Sequence, residues 1–107
     1  MKIKRFFVYI LTNNSKTVLY TGMTNNLSRR LTEHYFNRGN LKTFTGRYNC
    51  YNLLYYEVYP GAMDAIKREK EIKGWTRVKK NSLVEKENPN WKFINSEIME
   101  WPSDVDK

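Results

Sequence analysis

Three side chains in this sequence stand where helical patterning calls for apolar ones. Leu27, Arg30, Leu31 and His34 follow the i, i+3, i+4, i+7 spacing of one helix face. The two leucines require burial, so the guanidinium and the imidazole are carried toward the core or its rim. Farther on, Ala62, Ala65, Ile66, Glu69 and Ile72 share a second helical face, and Glu69 interrupts that stripe. A guanidinium or carboxylate on a buried face is costly unless it is paired or bound to an ion. Two arrangements meet that demand. One is an internal ion pair between Arg30 and Glu69, with His34 hydrogen-bonded beside it. The other is a cleft in which Arg30 binds a phosphate, His34 orients or shuttles a proton, and Glu69 holds a divalent cation. The pattern leaves both open.

A small set of elements must position these groups. Residues 6–11 are β-branched and aromatic and read as a strand. Residues 12–16 give a turn signal, and residues 17–22 read as the return strand. A turn centred between Asn14 and Ser15 sets Tyr9 opposite Tyr20 and Leu11 opposite Val18, all on one face. Asn25 or Asn26 suits the N-cap of a helix over 26–36. Residues 37–51 read as a long exposed loop, and 53–59 as a third strand ended by Pro60-Gly61. A helix over 62–73 closes at Gly74, and another over 76–87 stops before Pro89. Trp91 and Phe93 are expected to dock the chain's end on the core, with residues beyond 95 frayed. The order β-β-α-β-α-α predicts an α/β (α+β) fold, a small three-stranded antiparallel sheet flanked by helices. The domain is expected over residues 4–95, with an acidic, flexible tail over 96–107.

A chain of 107 residues suffices for one compact domain. Its 40% hydrophobic and 28% charged content is that of a globular protein, not a disordered one. No apolar run approaches the ~20 residues that span a bilayer, so no membrane role is expected. The basic start lacks the apolar stretch and cleavage site of a signal peptide. Cys50 stands alone, which excludes an intramolecular disulfide and a cysteine-rich zinc site. A reducing, cytoplasmic setting fits best. The net charge is +8, with 19 Lys and Arg against 11 Asp and Glu. Four of those acids (Glu97, Glu100, Asp104 and Asp106) lie near the end, so the preceding chain is more basic still. That balance suits a polyanionic partner, with nucleic acid ahead of a membrane surface because no basic amphipathic segment dominates.

Five stretches, in order, resemble the GIY-YIG nuclease family. Phe7-Val8-Tyr9 stands where the family has Gly-Ile-Tyr, and Tyr20-Thr21-Gly22 where it has Tyr-Ile-Gly. The run from Tyr20 to His34 looks like the family's second strand and first helix, with Arg30 on its catalytic arginine and His34 on a histidine of its small members. Ala65 to Trp75 looks like the helix carrying the metal-binding glutamate, at Glu69. Asn88-Pro89-Asn90-Trp91 looks like the ending of the short stand-alone bacterial branch. The likeness covers about residues 4–93. The departure that matters is Phe7 for glycine, a ring that strand alternation puts on Tyr9's face, where it would narrow or line the site; Met23 is a second, standing where several relatives have a basic or hydroxyl residue.

The resemblance implies hydrolysis of a phosphodiester with one Mg²⁺ or Mn²⁺ ion. It would be an endonuclease acting on DNA, of a kind used in repair or recombination. Glu69 would be the protein ligand to the metal, and Mg²⁺ suits a single carboxylate because it keeps much of its water. Tyr9 would activate or orient the attacking water, Tyr20 would position phosphate or water, Arg30 would stabilise phosphoryl charge, and His34 would relay the proton. Arg29, Lys42, Arg47, Lys70 and Lys73 would grip phosphates. Phe44, Tyr48 or Tyr51 could stack on an unpaired base, and Asn88 could touch the cleft or cap the chain's end. Two other readings keep the same fold: a nucleic-acid-binding module without catalysis, and a subunit that a protein partner targets.

Overall fold

The computed structural model describes residues 5–99. Strand β1 (Phe6–Thr12) runs antiparallel to β2 (Leu19–Thr24) on one side and to β3 (Asn52–Tyr59) on the other, so the sheet order is β2-β1-β3. Helix α1 (Leu27–Phe36) follows β2, and a short helix α2 (Phe44–Arg47) precedes β3. Helices α3 (Ala62–Lys73) and α4 (Arg77–Glu87) come next, and a 3₁₀ turn at Asn95–Glu97 ends the described chain. The expected antiparallel sheet with flanking helices is what forms.

Strand alternation builds two apolar layers, one on each face of β1. Val8 and Ile10 pack with Leu54, Ala65, Ile72 and Val84, so α3 and α4 cover that face. Tyr9 and Leu11 pack with Leu27, Leu31, Cys50 and Leu53 on the other, under α1. A bulge in the β1–β3 pairing lets β3 present Leu53 opposite Leu11 while its neighbour Leu54 joins the first layer.

The hairpin register differs from the one expected. Tyr9 lies opposite Gly22, and Leu11 opposite Tyr20. The turn is one residue farther along because the Asn13 carboxamide folds the loop, its Oδ1 accepting from Thr17 N at 2.9 Å and Val18 N at 3.2 Å. Lys16 takes the left-handed conformation at φ 60, and Arg77 donates to the carbonyls of Lys16 and Thr17. The partner positions moved by two, so every side chain kept its face.

Residues 37–51 are more folded than an exposed loop. Thr43 N-caps α2 by accepting from Gly46 N at 3.0 Å. Gly46 itself is wedged against the chain, since a Cβ there would lie 2.6 Å from Asn37 O. At the far end, Trp91 packs on the α3–α4 layer as expected. Phe93 does not dock: it is exposed, with Lys16 Nζ 5.2 Å from its ring centroid. Asn95 is buried and spans two backbone groups of the β3 segment, accepting from Leu53 N and donating to Tyr51 O. The expected division after residue 95 therefore falls within a packed segment, and Ile98 and Met99 continue it. Residues 100–107 of the expected tail lie outside the described residues.

Candidate active site

The site forms at the β2 edge of the sheet, where α1 and α3 both approach. Tyr9 projects from the central strand, and its ring lies across β2. This is possible because Gly22 stands opposite it. A Cβ at Gly22 would come within 2.5 Å of Tyr9 Cζ and 2.9 Å of Tyr20 Cε2. The glycine of the Tyr-x-Gly stretch is thus needed for the space it leaves.

Tyr9, Tyr20 and His34 form a triangle of rings. Centroids are 6.4 Å apart for the two tyrosines and 5.9 Å from each tyrosine to the imidazole. His34 Nε2 lies 3.0 Å from the Tyr9 hydroxyl oxygen, and His34 Nδ1 lies 3.1 Å from Thr45 Oγ1. A phenol is the stronger donor of the two hydroxyls and imidazole nitrogen the better acceptor. The favoured chain is therefore Tyr9 O–H to Nε2, with Nδ1–H donating to Thr45.

Burial dominates the proton equilibria here. It lifts the Tyr9 phenol well above its usual range, reinforced by Tyr20 and opposed by Arg30, while Glu69 and Glu33 add to the rise. Burial also pushes the His34 imidazole down to about 4, helped by Arg30 and opposed by Glu33. Near pH 7 both groups are uncharged, and they form a neutral hydrogen-bonded pair within reach of one guanidinium and two carboxylates.

The internal Arg30–Glu69 ion pair does not form. Arg30 Nε lies 3.1 Å from Glu33 Oε1, one turn along its own helix, yet that buried Nε makes no hydrogen bond of proper angle. Glu69, with 21% of its side chain exposed, meets Lys73 Nζ at a loose 3.6 Å. Arg30 and Glu69 both act electrostatically on Tyr9, yet each is matched by a residue one turn along its own helix and not by the other.

The expected phosphate-gripping residues divide. Lys73 joins the site, its Nζ 5.8 Å from the Tyr20 ring centroid. Arg29 is exposed on α1 and contacts Asn25 and Glu33. Arg47 is tied back, Nη2 donating to Leu41 O at 3.1 Å, and Lys42 is exposed on the same loop. Lys70 lines a separate shallow groove with Tyr59, Asp64, Lys67, Arg68 and Glu71. Asn88 acts away from the cleft: its Nδ2 donates to Leu54 O and Lys92 O, and its Oδ1 accepts from Lys92 N. Phe7, expected to line the site, packs against Tyr56 at 6.3 Å in a depression beside the start of α1.

Sequence reasoning missed Thr45, which holds the far side of His34. The available signal was Thr43, a good N-cap residue that would have announced α2. It also missed Glu57 on β3, which accepts from Tyr55, Tyr59 and Arg68. Arg68 continues to Glu71, so this carboxylate belongs to a satisfied structural cluster.

Among the described residues no helix is long and apolar enough to cross a membrane. They also hold no group of three or more His, Cys, Asp or Glu placed to cage a metal. A lone, loosely paired carboxylate bordered by groups suited to phosphate instead fits a hard cation that keeps most of its water, as Mg²⁺ or Mn²⁺ does.

The UPF0213 proteins of Staphylococcus aureus strains COL and MW2 are 40% identical over 78 residues, covering 73% of this chain and 92% of theirs. The solution NMR structure of a UPF0213 protein from Bacillus halodurans superposes with a TM-score of 0.52 at 29% identity, covering 86% of this chain and 93% of that one. The family model for the GIY-YIG catalytic domain matches residues 5–82, a span that contains both tyrosines, Arg30, His34 and Glu69, and the chain belongs to the GIY-YIG family.

Proposed function

We propose that the protein is a divalent-metal-dependent endonuclease that hydrolyses phosphodiester bonds in DNA. The observation that carries this reading is that Arg30 and Glu69, on two different helices, both act electrostatically on the buried Tyr9, which is hydrogen-bonded to His34, without pairing to each other. A structural ion pair would have joined them.

Glu69 would hold the ion, Mg²⁺ or Mn²⁺, which when bound polarises the scissile phosphate and stabilises charge on the leaving 3′ oxygen. Arg30, whose Nε is buried while the rest of its side chain reaches solvent, supplies a cation for the non-bridging phosphoryl oxygens. Tyr20 and Lys73 orient the same phosphate. Tyr9 accepts a hydrogen bond from the attacking water and passes its own proton to His34 Nε2 as the water's proton reaches the phenol oxygen. At rest this transfer is uphill, because burial favours neutral phenol and neutral imidazole. Arg30 is one cause of His34's low basicity, so a phosphate anion on Arg30 offsets that field and makes His34 a better acceptor. Thr45 keeps the imidazole in the tautomer that leaves Nε2 free. Lys73, Arg29 and Lys42 add sequence-independent attraction to the backbone.

The test uses plasmid, single-stranded and branched DNA with Mg²⁺ or Mn²⁺. Wild type should cut and Glu69→Ala should not. Equal cutting by both would point to a contaminant or another site.

A further inference from the structure

A row of aromatic rings leads out of the reaction centre to the surface. Phe44 stacks on Tyr20 with centroids 5.9 Å apart and planes inclined by 30°. Tyr48 adjoins Phe44 at 4.8 Å. The inner end of the row is closed by His34 and Tyr9, while Phe44 and Tyr48 remain 48% and 42% exposed. Tyr51, by contrast, is buried against Tyr35 at 5.2 Å and offers no face.

Large apolar side chains are normally withdrawn from water. Here a helix of four residues, capped by Thr43 and tightened at Gly46, holds two rings half out of it. A cation stands at the inner part of the row: Lys73 Nζ lies 5.8 Å from the Tyr20 ring centroid. Flat rings, with a cation beside Tyr20 and continuous with groups suited to a phosphate, match a nucleotide with its base exposed. A base inside a duplex has both faces covered by its neighbours and cannot use such a surface.

We propose that Phe44 and Tyr48 form a stacking site for one unpaired nucleobase beside the scissile phosphate. The location rests on the nuclease reading, whereas the binding test below does not. The site is also tied mechanically to the chemistry. Thr45 follows Phe44 directly and holds His34 Nδ1, so a base that settles on Phe44 steadies the imidazole through one peptide unit.

The experiment titrates the full chain, in EDTA to prevent cutting, into single-stranded oligonucleotides carrying 2-aminopurine. Stacking on an aromatic ring quenches this fluorophore. Wild type should quench it saturably, and a duplex with the probe paired should show little change. Phe44→Ala should lose the quench and bind about tenfold more weakly. Phe44→Trp and Tyr20-sparing Tyr48→Ala provide further variants if Phe44→Ala misfolds: the first should keep the quench and the second reduce it. Equal quench and affinity in wild type and Phe44→Ala, or equal quench by the paired probe, would overturn the proposal. Cutting with Mg²⁺ by a protein that gives no quench would also end it while leaving the nuclease reading intact. Quench without cutting would support the stacking site and count against that reading.

Discussion

Gly22→Ala should damage the fold and the site together, through a single methyl group. The added Cβ would sit 2.5 Å from Tyr9 Cζ and 2.9 Å from Tyr20 Cε2. Carbon atoms pack at about 3.5–4.0 Å, so the Tyr9 ring must retreat by roughly 1 Å. Tyr9 is buried in the layer formed with Leu11, Leu27, Leu31 and Leu53, which leaves it little room. Overpacking of this kind costs about 1–3 kcal/mol, against which alanine regains about 0.5–1 kcal/mol over glycine in a strand. The net loss should be about 1–2 kcal/mol, or roughly 4–15 °C in Tm for a domain of this size. The same displacement separates the Tyr9 hydroxyl from His34 Nε2, now 3.0 Å apart. Misplacement by about 1 Å can cost on the order of 10²-fold in rate. Thermal unfolding and the imidazole ¹⁵N shifts of His34 report the two effects separately. In a Tyr9→Ala background the stability penalty of Gly22→Ala should shrink to the part that Tyr20 Cε2, 2.9 Å away, still imposes, because the closer ring is gone. An unchanged Tm and unchanged His34 spectrum in Gly22→Ala, or an equal penalty in both backgrounds, would refute the steric account of this glycine.

Acid titration should expose His34. Its folded value of about 4 lies below its ordinary 6.5, so the unfolded chain binds the extra proton between those values. Its contribution is complete above pH 6.5 and is lost as pH falls toward 4, so urea midpoints of wild type and His34→Gln should converge over that window. Thr45→Val should remove the acceptor for Nδ1–H and shift the His34 tautomer toward Nε2–H in ¹⁵N NMR spectra, and Thr45→Ser should restore it. Glu57→Gln should cost about 2–4 kcal/mol in urea unfolding, since Tyr55, Tyr59 and Arg68 all converge on that carboxylate, while leaving the His34 signals in place.

The regular elements were legible because local and global preferences agree. Asn26 caps α1 as its side chain allows, accepting from Arg29 N, and α3 spans the residues that its apolar stripe and Gly74 mark out. The hairpin register was not, because it depends on how the Asn13 side chain and the distant Arg77 fold the turn. Its error was even, so the expectation that Tyr9 and Tyr20 share a face survived it. Helix α2 is too short to show a period, and its stability comes from a cap and the wedged Gly46. Asn95 looks like any polar tail residue in sequence, since its two backbone partners lie more than forty positions away. Arg30, His34 and Glu69 stood out as polar groups on apolar faces. Their partners did not, although Glu33 and Lys73 lie one helical turn from Arg30 and Glu69 and were within reach of an i, i+3 and i, i+4 reading.

The central claim is that Tyr9, Arg30 and Glu69 act as one catalytic unit. Single-turnover cleavage of a labelled DNA with Mg²⁺ tests it most directly, comparing Arg30→Ala, Glu69→Ala and the double variant after each is shown to fold. Groups that act together lose their effect together. The account predicts that each single variant is slowed by at least about 10²-fold and that the double variant is scarcely slower than the worse single one. Cleavage at the wild-type rate in either single variant, or losses that multiply in the double variant, would contradict it.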